Sequence, residues 1–298
     1  MLEISKPSEP ASAGPDGFNR RQSLGLMLAL GASAAFGQEL DDLAKIRSRG
    51  TLKVAVYKDN PPFSSGSGSD MVGLDVALAE ALARQLQLKL ALLPFDAGEN
   101  MGDDLRNMVW RGHYLGYGPA DVMLNVPADK YLMQQNRQVV IFSPYMRQTP
   151  VLLHDAKKLP QVNGTDDLLG HKLAAERGTG TASALIGPGN GLLSSQVSLF
   201  TTGVEAAQAV LRGEVDGAYV LRSQAEAAIV LDKTKQVSPL ISPLQLNGLP
   251  VNGWPIGMAI KSSFKDLGAA LETAMKELRN SGELLAMFKQ HGMTLTAP

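Results

Sequence analysis

The 298-residue chain contains no cysteine, which excludes thiol nucleophiles, thiolate metal sites, disulfide bridges and covalent c-type haem attachment. That absence is compatible with the periplasm. An excess of charge is also missing. The formal net charge of −1 gives no electrostatic reason to expect nucleic acid or an anionic membrane surface, so any partner must be recognised locally. After residue 37 no apolar run is long enough to span a bilayer. What is present, 44% hydrophobic and 19% charged residues, is the composition of a globular protein with length for two domains.

The first segment reads as an address. Arg20 and Arg21 precede "SLGLMLALGASAA", too short for a mature spanning helix and suited to a signal h-region. Small residues at Ala35 and Gly37 offer a cleavage site before Gln38. The paired arginines of "NRRQSLGL" resemble a twin-arginine signal, with Ser23 where a large apolar residue is usual. Residues 1–37 are thus expected to be a signal peptide, with export to the periplasm by the Sec or Tat route.

From Thr51 the pattern is that of an α/β protein. "TLKVAVY" alternates as a strand and runs into a Pro-Pro loop; "LDVALAEALARQLQ" has helical spacing; "KLALLPF" is strand again, an order whose natural product is a parallel sheet. "ADVMLNV" supplies a further strand. After "QVVIFSPYM" the pattern restarts with "HKLAAERGTGTASALI" (strand, glycine turn, helix), "TTGVEAAQAVLRGEVDGAYVL" (helix, strand) and the helical "SQAEAAIVLD". "NGWPIGMAIKSS" is a late strand, and two helices separated at Gly282 close the chain.

The stretch "GENMGDDLRNMVWRGHYLGYGPADVML" crowds polar and aromatic residues into one expected helix and the loop after it. Arg106, Trp110 and His113 fall at i, i+4 and i+7 and should share a helix face. Asp103, Asp104 and Glu99 are accounted for by the positive end of a helix dipole, so neither a metal site nor a catalytic carboxylate pair is expected. Trp110, Tyr114 and Arg106 are residue types that anchor protein interfaces, and Asn107, His113 and Tyr117 flank them; the alternative places Trp110 in the core and His113 at the helix end.

"RGTGTAS" brings Thr179, Gly180 and Thr181 to a strand–helix turn, where backbone N–H groups receive an anion or Thr179 simply caps the helix. Tyr57, Asn60 and Phe63 follow the first strand, and Trp254 lies near the end of the second half; each is either a cleft residue or part of a rigid turn. Asn125 and Arg147 complete the cleft candidates.

In sequential order, "TLKVAVYKDNPPFS", "GLDVALAEALARQL", "FSPYM", "LLGHKLAAERGTGT", "LRGEVDGAYV", "IGMAIKSS" and "ALETAMKELRNSGELLAMFKQHG" resemble the family 3 extracellular solute-binding proteins. The resemblance implies the type II periplasmic binding-protein fold: two α/β lobes, a ligand cleft and two crossovers. Lobe 1 is then expected at 51–145 plus 256–298, lobe 2 at 148–250, and the crossovers near 145–148 and 250–256. Amino-acid-binding members carry a Glu-Arg pair whose arginine grips the ligand carboxylate. Here "LNVPADKYLMQQNRQVVIFSPY" has none, Arg137 being out of register. The aspartate that meets the ligand amine is replaced by Leu221. An ordinary zwitterion would bury uncompensated charge, so amino acids are disfavoured.

The longer stretch "GENMGDDLRNMVWRGHYLGYGPADVMLNVPADKYLM", with "NRQVVIFSPYMRQTPVLL", is similar to the MxaJ/XoxJ-type, quinoprotein-dehydrogenase-associated branch. This implies a non-enzymatic periplasmic accessory protein that binds and activates or matures a pyrroloquinoline-quinone methanol dehydrogenase, with Asp103, Asp104, Arg106, Asn107, Trp110, His113 and Tyr114 as the expected partner surface. No cofactor of its own is expected. The alternative is a transport receptor for a polar small molecule held in the cleft.

Overall fold

In the computed structural model, residues 41–187, 191 and 193–298 are described, so the leader reading of residues 1–37 lies outside the described residues. The first half comprises α1 (Asp42–Arg49), β1 (Thr51–Tyr57), a minimal hairpin of β2 (Asp59–Asn60) and β3 (Ser64–Ser65), α2 (Leu74–Gln85), β4 (Lys89–Phe95), α3 (Met101–Leu105), β5 (Val122–Pro127), α4 (Lys130–Gln135) and β6 (Val139–Gln148). The second comprises β7 (Pro150–Asp155), β8 (Leu173–Glu176), α5 (Gly180–Ile186), β9 (Val197–Phe200), α6 (Gly203–Leu211), β10 (Gly217–Leu221), α7 (Arg222–Leu231) and β11 (Pro239–Ser242). The chain then returns through β12 (Trp254–Lys261), α8 (Lys265–Asn280) and α9 (Glu283–Gln290).

Two five-stranded sheets result, ordered β4-β1-β5-β12-β6 and β11-β7-β10-β8-β9. The parallel sheets expected from strand–helix alternation are in fact mixed. β1 runs parallel to β4 and β5, but β12 is antiparallel to both β5 and β6 because it enters from the other sheet. β7 is likewise antiparallel to β10 and β11. Pairing in the first sheet continues through Gln148, opposite Trp254, and so extends past residue 145.

Each sheet is covered on both faces, and the two-residue alternation of its strands decides which residue goes where. Leu52, Val54 and Val56 join one core with Leu74, Leu78 and Leu82 of α2 and Leu267, Leu271 and Leu278 of α8. Ala55, between them in sequence, belongs to a separate core on the opposite face with Leu105, Met108 and Met123. In the second sheet Val151 and Leu153 pack under α6 and α7, while Leu152 and Tyr219 face α5 and Leu185. Transfer of each such leucine from water is worth roughly 1.5–3 kcal/mol, which holds the layers together.

Sequence periodicity starts the domain at Thr51, yet α1 precedes it. The Asp41 carboxylate caps its first turn, Gly50 closes it with φ 70°, and only Leu43 and Ile46 are buried. Eight residues carry too few apolar repeats to register as a helical pattern. Among the described residues no helix is long and apolar enough to cross a membrane.

Two segments join the sheets: Gln148–Pro150, and the return from Ser242 to Trp254. They touch where Arg147 donates from Nη1 to the Asn252 carbonyl (3.2 Å) and Trp254 Nε1 donates to Gln148 Oε1 (3.1 Å). The C-terminal tail lies over the same place: Arg147 N–H donates to the Thr296 carbonyl (3.0 Å) and Thr294 N–H to Glu226 of α7 (2.7 Å).

Candidate functional site

A cleft of about 510 Å³ opens between the two sheets at the carboxyl ends of β1, β4 and β8, the place where open α/β sheets receive ligands. Tyr57, Phe95 and Met101 form an apolar wall on the first-sheet side, with the Tyr57 and Phe95 rings 4.5 Å apart and tilted by 38°. Glu176, Thr179, Leu221 and Gln224 line the other side.

Three hydrogen-bonded clusters fix this lining. In the first, Asp104 accepts from the Tyr57 hydroxyl (2.8 Å) and from Gly98 N–H (2.7 Å). Burial raises the proton affinity of Asp104 against those two donors; burial and the adjacent carboxylate push the Tyr57 phenol well above its ordinary range, so it stays a neutral donor.

The second cluster lies under the cleft floor. Asp75, buried at the start of α2, accepts from Asn125 Nδ2 (2.8 Å) and the Tyr145 hydroxyl (3.0 Å), while Asn125 N–H donates to that hydroxyl (3.1 Å). Asn125 sits at φ 61°, a conformation asparagine tolerates better than most residues. Burial pushes the Asp75 carboxyl up to about 6 even though both donors favour its charge.

In the third cluster Glu176, the last residue of β8, accepts through Oε2 from Gly203 N–H (3.0 Å) and Gln224 Nε2 (2.8 Å); Gln224 Oε1 in turn accepts from Leu221 N–H (3.0 Å). Burial raises the Glu176 carboxyl, opposed by these donors. The Gly203 backbone lies so close to Gln224 that a Cβ there would come within 2.1 Å of Oε1.

The cleft candidates separate on this geometry. Tyr57, Asn60, Asn125 and Thr179 line it. Phe63 does not: it is fully buried among the apolar residues beneath β1 and α2. Arg147 lies at the crossover, held by Asn252, and faces a different cavity with Val251 and Thr296, because the antiparallel register with β12 turns it away. Trp254 likewise is a crossover residue bonded to Gln148 and packed on the core. Thr179 caps Ala182 N–H and exchanges a hydrogen bond with the buried Thr181 (2.8 Å), so both hydroxyls serve the turn. Gly180 opens α5 under Leu249. Arg137 sits exposed before β6.

The expected partner surface is also redistributed. After Leu105 the helix widens to a π-turn over Arg106–Trp110, closed by Arg111 N–H to the Arg106 carbonyl (2.9 Å), and ends there. The i, i+4, i+7 face is therefore broken: the helix stops after Trp110, and His113 lies in the loop beyond. Asp104 is buried in the cleft wall, Asp103 pairs with Arg106 (2.7 Å), and Trp110 packs against the Leu105–Met108 core. Asn107 is half-buried, its carbonyl close against Gly118, where a Cβ would come within 2.7 Å. Tyr114 alone of the expected set is almost fully exposed, at 88%, beside Leu115 at 69%. His113 stacks on Tyr117 at 4.2 Å and against Tyr114 at 4.3 Å.

Sequence reasoning passed over Asp96, Gln148, Glu176 and Gln224, all in the lining. Asp96 and Glu176 carry a signal, since each ends or follows a strand that points its carboxyl end at the cleft. Gln148 and Gln224 carry none, because their roles depend on partners 106 and 48 residues away.

No known protein-family pattern and no curated protein matches the chain. Solved structures do. An ancestral cationic amino acid solute-binding protein superposes with a TM-score of 0.65 at 22% identity, over 84% of this chain and 99% of that one. An amino acid ABC transporter substrate-binding protein from Streptococcus pneumoniae, solved with L-arginine, gives 0.61 at 20% identity over 86% and 100%. An ancestral amino-acid-binding protein described as a precursor of cyclohexadienyl dehydratase gives 0.58 at 22% over 85% and 100%. With its two mixed sheets, double crossover and cleft at the strand ends, the chain has the two-lobed α/β periplasmic binding-protein fold.

Proposed function

We propose that this protein is a non-enzymatic periplasmic accessory protein that docks on a quinoprotein methanol dehydrogenase. The observation that carries the docking surface is the turn His113–Tyr117. Tyr114, Leu115 and Tyr117 expose 88%, 69% and 43% of their surface, yet the turn is rigidly held by His113 N–H to the Tyr117 carbonyl and Gly116 N–H to the His113 carbonyl, both 2.9 Å. Rigid aromatic side chains lose little entropy on association and offer large contact areas, the properties of interface anchors. Leu115 and Tyr117 also border a groove of about 430 Å³ lined by Leu92, Pro94 and Met108, beside the cleft rim at Lys58. The partner's identity rests on the resemblance of residues 98–133 to the dehydrogenase-associated branch.

Replacing Tyr114, Leu115 and Tyr117 together by serine should weaken binding to the dehydrogenase by at least about 2 kcal/mol, the scale of an interface hot spot, while leaving thermal unfolding within a few degrees of wild type. Calorimetric titration with purified methanol dehydrogenase checks this; unchanged affinity for the triple variant removes the surface from the reading.

The cleft favours a second reading, a receptor that closes on a polar small molecule and delivers it to a permease, as the solute-binding proteins of this fold do. Tight uptake of a metabolite with no affinity for the dehydrogenase would select it.

A further inference from the structure

The cleft's polar lining can be sorted by which atoms are already satisfied. Asn125 is nine-tenths buried, and its Nδ2 must face the Asp75 carboxylate, which has only acceptors to offer. Its Oδ1 is thus the amide's remaining polar atom, without a protein partner among the described residues, on a residue that lines the cleft. Across the cleft, Glu176 engages both of its donors through Oε2, which leaves Oε1 without a protein partner among the described residues. Neither oxygen is among the buried atoms left without a partner, so both are open to the cleft, and two acceptors presented from opposite walls of one cavity favour a donor between them.

Charge narrows the donor to a cation. Among the described residues the lining contains Asp59, Asp96 and Glu176 against a single cation, Lys58, which is bound to Asp96 at 2.6 Å. Cation–π attraction from the Tyr57–Phe95 pair acts in the same direction, and the apolar contribution of Met101, Leu221 and Ile256 accommodates an alkyl body. A carboxylate finds nothing comparable. Among the described residues no arginine lines the cleft, and the Thr179 hydroxyl is committed to the Glu176 carbonyl (2.7 Å) and to Thr181. A ligand carboxylate would face Glu176 and Asp96 without an arginine fork to offset its desolvation.

We infer that the cleft binds an alkylammonium ligand without a carboxylate, an amine or diamine, with its ammonium bridging Glu176 Oε1 on one lobe and Asn125 Oδ1 on the other. Such a ligand would couple the lobes, since its donors are satisfied only when both walls approach. The inference goes beyond the docking proposal and stands under either reading of the function.

The test uses two probes that differ only in the α-carboxylate, 1,5-diaminopentane and L-lysine, titrated calorimetrically into the purified chain, with pentan-1-ol as the uncharged control. The diamine should bind at least about tenfold more tightly than lysine, the alcohol should give no signal, and Glu176→Gln should weaken the diamine by about tenfold or more, the scale of one charge-assisted hydrogen bond. Lysine binding as tightly as the diamine overturns the inference. So does an absence of diamine binding up to about 10 mM, or a folded Glu176→Gln protein with wild-type affinity. Should Glu176→Gln fail to fold, the comparison of the two probes on the wild-type chain decides alone. Titration with methanol dehydrogenase is independent of these outcomes, so loss of one proposal leaves the other standing.

Discussion

Gly253→Ala should destabilise the protein by about 2–5 kcal/mol, several times the roughly 0.5 kcal/mol of an ordinary surface substitution. Gly253 lies on the return crossover immediately before β12, at φ 63°, where an L side chain already costs about 1–2 kcal/mol. A Cβ built there would come within 1.9 Å of the Gln148 carbonyl oxygen and 3.0 Å of the Thr149 Cα. Both are backbone atoms of the outgoing crossover, so no side chain can swing aside; the two crossovers must part, and overpacking of this kind costs about 1–3 kcal/mol more. Parting them also disturbs the Trp254–Gln148 and Arg147–Asn252 bonds and the seat of the C-terminal tail. Urea unfolding at pH 7 checks the stability, and a midpoint equal to wild type would show that the crossovers are not packed as described. Because Gln148 also lines the cleft, ligand affinity should fall with stability.

The other large effect is expected at Asp75. Asp75→Ala removes the one carboxylate that satisfies both Asn125 Nδ2 and the Tyr145 hydroxyl in a site closed to solvent. Each stranded buried donor costs about 1–3 kcal/mol, so a loss of about 2–6 kcal/mol is expected. Asn125, freed from its anchor, should no longer present Oδ1 to the cleft.

The wild-type residue also leaves a pH signature. The Asp75 carboxyl titrates near 6 in the folded chain against an ordinary value of 3.8, so the folded state holds its proton more tightly than the unfolded state. The stabilisation linked to that proton is fully present below about pH 4 and is lost as pH rises through about 6. Compared with Asp75→Asn, which does not titrate, the wild type should gain about 2 kcal/mol in relative stability on going from pH 7 to pH 4. Denaturant unfolding of both proteins at the two pH values measures the difference; a constant difference would mean that Asp75 is ionised without penalty.

Much of the architecture was legible from residue order alone. The spacing of Leu74, Leu78 and Leu82, the alternation of Leu52, Val54 and Val56, and the glycine at 282 each produced the element the pattern called for, because one-sided burial imposes a period of 3.6 or 2 on any chain that folds in layers. The resemblance to solute-binding proteins rested on this order and fits the fold observed. Leu221, at the position the resemblance assigns to a ligand-binding aspartate, lies on the cleft wall.

Tertiary structure alone decided the rest. Strand direction in both sheets depends on where the chain re-enters after its excursion, which no local pattern encodes. The π-turn at Arg106–Trp110 breaks a periodicity that assumed 3.6 residues per turn; Asp104, before it, is buried, and Tyr114, in the loop after it, is exposed. Phe63 and Asn60 stand three residues apart and part between core and cleft. Above all, the character of the cleft follows from which polar atoms are already used: Asn125 by Asp75, fifty residues away, and Glu176 by Gln224, forty-eight away. A sequence specifies the residues that can hydrogen-bond, but only their convergence in space determines which atoms are left for a ligand.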